Sequence, residues 1–201
     1  LCLNYYLCIY KMEDFVSFFL ILICITIFYV YLENKAVDVT YMKSTIDNKE
    51  YLVRNLPDKQ EAANILAQIR EGLTKIVDHL YENKEKEKDK IKDIERLKKN
   101  YRPDNITESS PGNKYTSYSI NKGEKLVFCI RAKGVTTPLE DINTLMFVAI
   151  HELAHLMTKE IGHPPIFWEN MKYLLKKAIE LGVYKKQNFE KKPVSYCGTK
   201  I

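Results

Sequence analysis

The chain of 201 residues is long enough for one folded domain with a hydrophobic core and appended segments. Its formal net charge of +5 is modest and dispersed, which argues against nucleic acid as a main partner without excluding it. Of the five cysteines, only Cys129 and Cys197 lie beyond the N-terminal apolar segment, and two are too few to indicate a disulfide framework.

Residues 15–32 form an uncharged apolar segment that predicts a transmembrane anchor. As an α-helix it would extend about 27 Å, close to the thickness of the hydrocarbon core of a bilayer. Apolar residues cover all its sides, and it is too long for the apolar region of a cleaved signal peptide. We therefore expect a single-pass membrane protein, with the membrane as a partner and an N-terminal tail at 1–14. Because the chain begins with Leu1, we interpret residues 1–11 as untranslated and Met12 as the start.

The folded domain is expected over residues 36–201. More lysines follow the apolar segment than precede it, which favours a cytosolic position for this domain. Two short strands are predicted at 37–44 and 51–54, on either side of a polar turn. A helix then opens with Asp58 as N-cap and Glu61 in the position of a capping box. Its apolar residues recur every three or four positions, so one face is expected to pack in the core.

A strongly charged segment follows that helix. Residues 82–100 are mostly Lys, Glu and Asp, with Ile91, Ile94 and Leu97 as a thin apolar edge. The mixed charge predicts a solvated helical extension rather than a nucleic-acid-binding arm.

A β-hairpin is predicted after this segment. Its strands, at 115–120 and 124–132, flank the turn Asn121-Lys122-Gly123. The second strand comes shortly before an apolar helix.

That helix carries the sequence His151-Glu152-Leu153-Ala154-His155. Residues four apart on a helix project from the same face, so His151 and His155 can bind one Zn²⁺. Glu152 is rotated by about 100° from His151 at 3.6 residues per turn, the position of a general base acting on a zinc-activated water. The apolar run at 145–150 indicates a buried helix, in which these polar side chains need a partner such as a metal.

The third metal ligand is expected just after the helix, which Gly162 is predicted to close. His163 emerges from that turn, and Pro164 restricts the backbone before a new helix. We choose His163 as the third ligand, with Glu160 and Glu169 as alternatives within reach. Three protein ligands leave the fourth position of a tetrahedral zinc to water, which is typical of a catalytic site.

Residues 143–175 resemble the zinc metallopeptidases of the WLM, SprT-like and YgjP-like group, whose pattern is H-E-[L/M]-x-H, a short spacer, a histidine and an aromatic pair, here Phe167-Trp168. The resemblance implies an α+β zincin-like fold, the three histidines as zinc ligands and the glutamate as the catalytic residue. In that group an edge strand pairs with an extended substrate, so the hairpin or a strand beside it is the candidate substrate-binding strand. The upstream strands and the closing residues 193–198 also resemble uncharacterised WLM-type members from large DNA viruses and protists.

The sequence therefore predicts a membrane-anchored zinc endopeptidase that acts on protein or peptide substrates. Tyr196 and Arg131 are candidate hydrogen-bond donors to the oxyanion. One alternative is a DNA-associated protease, which the resemblance permits and the modest charge disfavours. The other is a non-catalytic, zinc-stabilised scaffold with residues 82–99 as a partner-binding arm. Glu152 beside an open metal position favours the enzyme.

Overall fold

The computed structural model describes residues 16–31, 39–110, 115–131 and 138–201. The chain divides into two compact units, residues 1–38 and residues 39–201.

Helix α1, residues 16–31, is the described part of the first unit, and its side chains are exposed. In the described part of the chain, no helix has both the length and the apolar character needed to cross a membrane. The predicted transmembrane anchor at 15–32 is therefore wrong, and so is the single-pass membrane localisation. The predicted tail at 1–14 lies outside the described residues.

The second unit has the mixed α+β architecture that was predicted. In chain order its elements are β1 (Val39–Lys43), β2 (Glu50–Arg54), α2 (Lys59–Glu82), α3 (Ile91–Asn100), β3 (Ile106–Glu108), β4 (Tyr118–Ile120), β5 (Lys125–Phe128), α4 (Ile142–Met157), α5 (Pro165–Glu180), β6 (Ser195–Tyr196) and β7 (Thr199–Lys200).

The strands form three small sheets. β1 and β2 make an antiparallel hairpin, as do β6 and β7. In the third sheet, β5 lies between β3 and β4: Leu126 is opposite Ile106 in the parallel neighbour and opposite Ser119 in the antiparallel one. The predicted strand pairs β1–β2 and β4–β5 are confirmed. Because β5 is central, β4 is an edge strand, and no other strand of the described residues pairs with it.

Helix α2 is the centre of the core, and its predicted existence and apolar face are confirmed. Its buried side chains repeat at helical spacing, as expected for a core-facing stripe. They include Leu66, Ile69, Leu73, Ile76 and Leu80.

Arg131 is a buried cation that engages the residue predicted to cap α2. Its Nε donates to Glu108 Oε1 at 2.8 Å, and its Nη1 donates to the Asp58 carboxylate. Glu108 Oε2 also accepts the backbone N–H of Arg54 at 2.7 Å. A buried charge requires such partners. Asp58 consequently precedes α2 without a side-chain capping bond, contrary to the predicted capping box.

Residues 82–100 do not continue α2 as one extended helix. α2 ends at Glu82, two short 3-10 turns follow, and α3 begins at Ile91. Ile94 and Leu97 are almost fully buried in the core. The apolar edge of this segment thus packs α3 against the domain, and burying such side chains contributes about 1.5–3 kcal/mol each.

Two residues beyond these elements are joined in a way that the cysteine count did not predict. Cys129, just after β5, forms a disulfide with Cys197, 68 positions further on, with 6.3 Å between the Cα atoms. The bond joins the segment between β6 and β7 to the end of the central strand β5. A count of cysteines carries no information about which side chains the fold brings together.

Candidate metal centre

Helix α4 carries the first two histidines and is anchored at both ends. At its start, Asp141 accepts the backbone N–H of Thr144 at 2.9 Å. The helix ends at Met157, with Thr158 as an extended C-cap, rather than continuing to Gly162 as predicted. Gly162 does adopt the expected positive φ of +83°, but it lies in the loop that follows.

The early end of α4 has a physical cause in the side chains around it. The last carbonyls of a helix have no partner within the helix. Here the side-chain amide of Asn100 donates to Leu156 O at 3.0 Å, and Arg96 Nη1 donates to Met157 O at 2.7 Å. Both donors come from α3, and neither could be assigned from the sequence of α4 itself.

Three imidazoles converge after this helix end. His155 Nε2 lies 3.2 Å from His151 Nε2, and His163 Nε2 lies 3.1 Å from the same atom. Within the described residues, these three side chains form the group of His, Cys, Asp and Glu that could hold a metal ion. The alternative ligands Glu160 and Glu169 are exposed and do not belong to this group.

The aromatic pair on α5 packs against the imidazoles. The fully buried Phe167 ring has its centroid 4.5 to 4.9 Å from those of all three histidines. Trp168 lies beside the outermost of them, 5.6 Å from the His163 ring, and is half exposed. α5 begins at Pro165, two residues after His163, so the predicted proline-led helix is confirmed and brings this pair against the cluster.

Burial keeps the first two imidazoles neutral. It lowers the pKa of His151 to about 4, and the adjacent His163 also lowers this pKa. The pKa of His155 is also lowered to about 4, mainly by burial and then by the other two histidines. Neutral imidazole is the form that binds a metal.

Glu152 is buried beside this cluster, with 4% of its surface exposed. Burial raises its pKa to about 7, and the nearby Ser119 offsets part of this rise. Ser119 lies on β4, so the edge strand lies beside the carboxyl group. Sequence analysis missed Ser119; its only signal was the alternation of Ser117 and Ser119 in a predicted strand.

A cleft of about 630 Å³ opens over the histidines. It is lined by Tyr115, Ser117, Tyr118, Ser119, Asn121, Lys122, His151, Glu152, His155, Ile161, Gly162 and His163. β4, one strand of the candidate substrate-binding hairpin, therefore forms one wall with its edge, whereas the central β5 does not line the cleft.

Neither predicted oxyanion donor lines this cleft. Arg131 is held in the buried ion pairs with Glu108 and Asp58. The buried Tyr196 places its hydroxyl 2.6 Å from that of Ser117, behind the cleft wall.

Comparison with known proteins identifies relatives among viral proteins. The chain is 37% identical over 182 residues to uncharacterized protein R325 of Acanthamoeba polyphaga mimivirus, covering 90% of this chain and 91% of that protein. It is 38% identical over 84 residues to uncharacterized protein 136R of Invertebrate iridescent virus 6, covering 40% of this chain and 44% of that protein. No family model matches the chain.

Among solved structures, a Wss1 mutant from Saccharomyces cerevisiae superposes with a TM-score of 0.47 at 16% identity, covering 65% of this chain and 87% of that one. Wss1 itself, from the same organism, gives 0.44 at 16% identity, covering 65% and 86%. The identity to R325 extends over nearly the full length of both proteins, and the chain belongs to the family of this mimivirus protein.

Proposed function

We propose that this protein is a zinc metallopeptidase that hydrolyses peptide bonds in protein or peptide substrates. The observation that carries the proposal is the convergence of three imidazole Nε2 atoms beside the buried carboxyl group of Glu152. The same residues, with Phe167 and Trp168 after them, support placing the protein near the WLM and SprT-like peptidases.

The three histidines fit a zinc ion. Two nitrogens that share a tetrahedral zinc at ~2.1 Å lie roughly 3.4 Å apart. The separations of 3.2 and 3.1 Å approach that value. The opening of the cleft above the cluster leaves room for a further ligand, as a catalytic site requires.

Zn²⁺ at this position would supply Lewis acidity, which polarises a peptide carbonyl and makes water acidic near neutral pH. Glu152 would accept the proton of the attacking water and deliver it to the leaving amine. Ser119, beside it on β4, lines the same cleft. The edge of β4 would align an extended substrate along the cleft.

The test is peptide cleavage by the purified full-length protein, measured by mass spectrometry on a library of proteome-derived peptides. Glu152→Gln is the matched variant, because the amide is nearly isosteric but cannot take a proton. We expect one zinc per chain in both proteins and a rate about 10² to 10⁴ lower in the variant. Equal rates would exclude Glu152 as the base. Zinc binding without cleavage by the unsubstituted protein would indicate a zinc-stabilised scaffold.

A further inference from the structure

Lys122 reaches from the β4–β5 turn to the segment between the second and third histidines. It lies in the left-handed region with φ +54°, after Asn121 with φ +45°. Its Nζ donates to three main-chain oxygens: His155 O at 3.3 Å, Thr158 O at 2.9 Å and Glu160 O at 2.6 Å. These carbonyls belong to the last turn of α4 and to the loop that leads to His163.

The chemistry of the contact is well matched. A lysine ammonium has three N–H donors and no acceptor, and here three carbonyl oxygens surround it. Carbonyls at a helix C-terminus lack partners within the helix and carry partial negative charge, so a cation there is stabilising. Lys122 therefore fastens the end of α4 and the loop to the hairpin with one side chain.

The third histidine needs such support more than the other two. α4 fixes the backbone of His151 and His155, whereas His163 is exposed and follows a loop without regular secondary structure. Two of the three carbonyls held by Lys122, those of Thr158 and Glu160, lie in that loop. The position of His163 Nε2 relative to His151 Nε2 thus depends on the path of the loop.

We propose that Lys122 is a positioning residue that holds the loop after α4 so that His163 can bind the metal with His151 and His155. The inference rests on the proposed zinc site. The hairpin would then serve the site twice, because Ser119 and Lys122 both line the cleft that contains Glu152 and His163.

General support of the helix end is the competing explanation, and the chain offers a matched control. Arg96 also places a cation on a C-terminal carbonyl of α4, that of Met157, but it makes no hydrogen bond to the loop carbonyls of Thr158 and Glu160. A loss that comes only from weakening the helix end should appear in Arg96→Met as well as in Lys122→Met.

The experiment is a double-mutant cycle on the full-length protein, with Zn²⁺ and Co²⁺ affinities measured by competition with a chelating dye. Lys122→Met keeps the apolar stem and removes the donors, and it is combined with His163→Ala. Loss of a group that orients a metal ligand typically weakens metal binding by about 10- to 100-fold. We expect a loss in that range for Lys122→Met alone, and no further loss when His163 is already alanine. The Co²⁺ absorption spectrum of Lys122→Met should approach that of His163→Ala.

Each outcome decides between the two explanations. If Lys122→Met lowered the metal affinity equally in the presence and absence of His163, Lys122 would only support the end of α4. The same would follow if Arg96→Met and Lys122→Met lowered the metal affinity equally. Should Lys122→Met fail to fold, Lys122→Gln, which keeps two donors, enters the same cycle with the same expected dependence on His163. If the unsubstituted protein bound neither ion, the proposed zinc site itself would be overturned. If it bound metal with an affinity that does not depend on Lys122, only the role of Lys122 would be overturned.

Discussion

At the scale of single residues, the burial of Glu152 controls the protonation of its carboxyl group. In the metal-free protein its folded pKa is about 7, against about 4.5 in the unfolded chain. The folded state therefore binds more protons than the unfolded state between these values, and stability falls as the pH rises through this window.

This predicts that Glu152→Gln stabilises the metal-free protein at pH 8. The gain should be at most about 3 kcal/mol in the free energy of unfolding, and it should shrink towards zero below about pH 4.5, where the carboxyl group is neutral in both states. Urea unfolding of chelator-treated protein between pH 4 and 8 measures both. A constant difference between the two proteins across this range would contradict the role of burial.

The identity of the third ligand is also decided at this scale. We expect His163→Ala to lose most of the bound zinc, since two imidazoles cannot retain the ion tightly. Glu169→Ala should keep it, because that carboxylate lies outside the histidine cluster. Elemental analysis of both variants after dialysis makes the comparison, and zinc loss confined to Glu169→Ala would reverse the assignment.

At the scale of elements, the β4–β5 turn depends on Gly123. Its φ is +105°, and an added Cβ would come within 2.2 Å of Asn100 O, a backbone atom that cannot move aside cheaply. Gly182 is the matched control, with φ +68° and no atom within 4 Å of a Cβ at that position.

Alanine at these two positions should therefore have unequal effects. We expect Gly182→Ala to cost roughly 1 kcal/mol, the strain of a left-handed residue, and Gly123→Ala to cost at least about 2 kcal/mol more because of the clash. Thermal or urea unfolding gives both values. Equal stability of the two variants would contradict the predicted clash between a Cβ at position 123 and the backbone oxygen of Asn100.

The elements also show which parts of the fold were predictable. The two hairpins, α2 and the start of α5 follow from local signals: alternating strands, helical spacing and a leading proline. The end of α4 did not, because Arg96, Asn100 and Lys122 supply the partners of its last carbonyls from distant segments. The same limit explains the missed burial of Ile94 and Leu97. It also explains why the sequence did not single out Ser119, whereas the convergence of the three histidines followed from their spacing.

At the scale of the whole molecule, the Cys129–Cys197 disulfide joins segments that are 68 residues apart. Replacing both cysteines with serine should lower the free energy of unfolding by about 2–4 kcal/mol, since a cross-link restricts the unfolded chain. Treating the unsubstituted protein with a reductant should give a similar loss, measured by urea unfolding. An unchanged midpoint in the double variant would mean that the segment from β6 to β7 is held by its other contacts alone.

The same disulfide closes a covalent ring that contains α4, α5 and the loop between them, so the three histidines and Glu152 lie within it. A single cut in the exposed loop before His163, such as a peptidase could make in a second copy of itself, would leave the two fragments attached. Electrophoresis without reductant would show a molecule of unchanged mass, and only after reduction would the pieces separate. The ring would thus hide a cut in this loop from an ordinary size measurement, and preparations that look intact need to be compared with and without thiol.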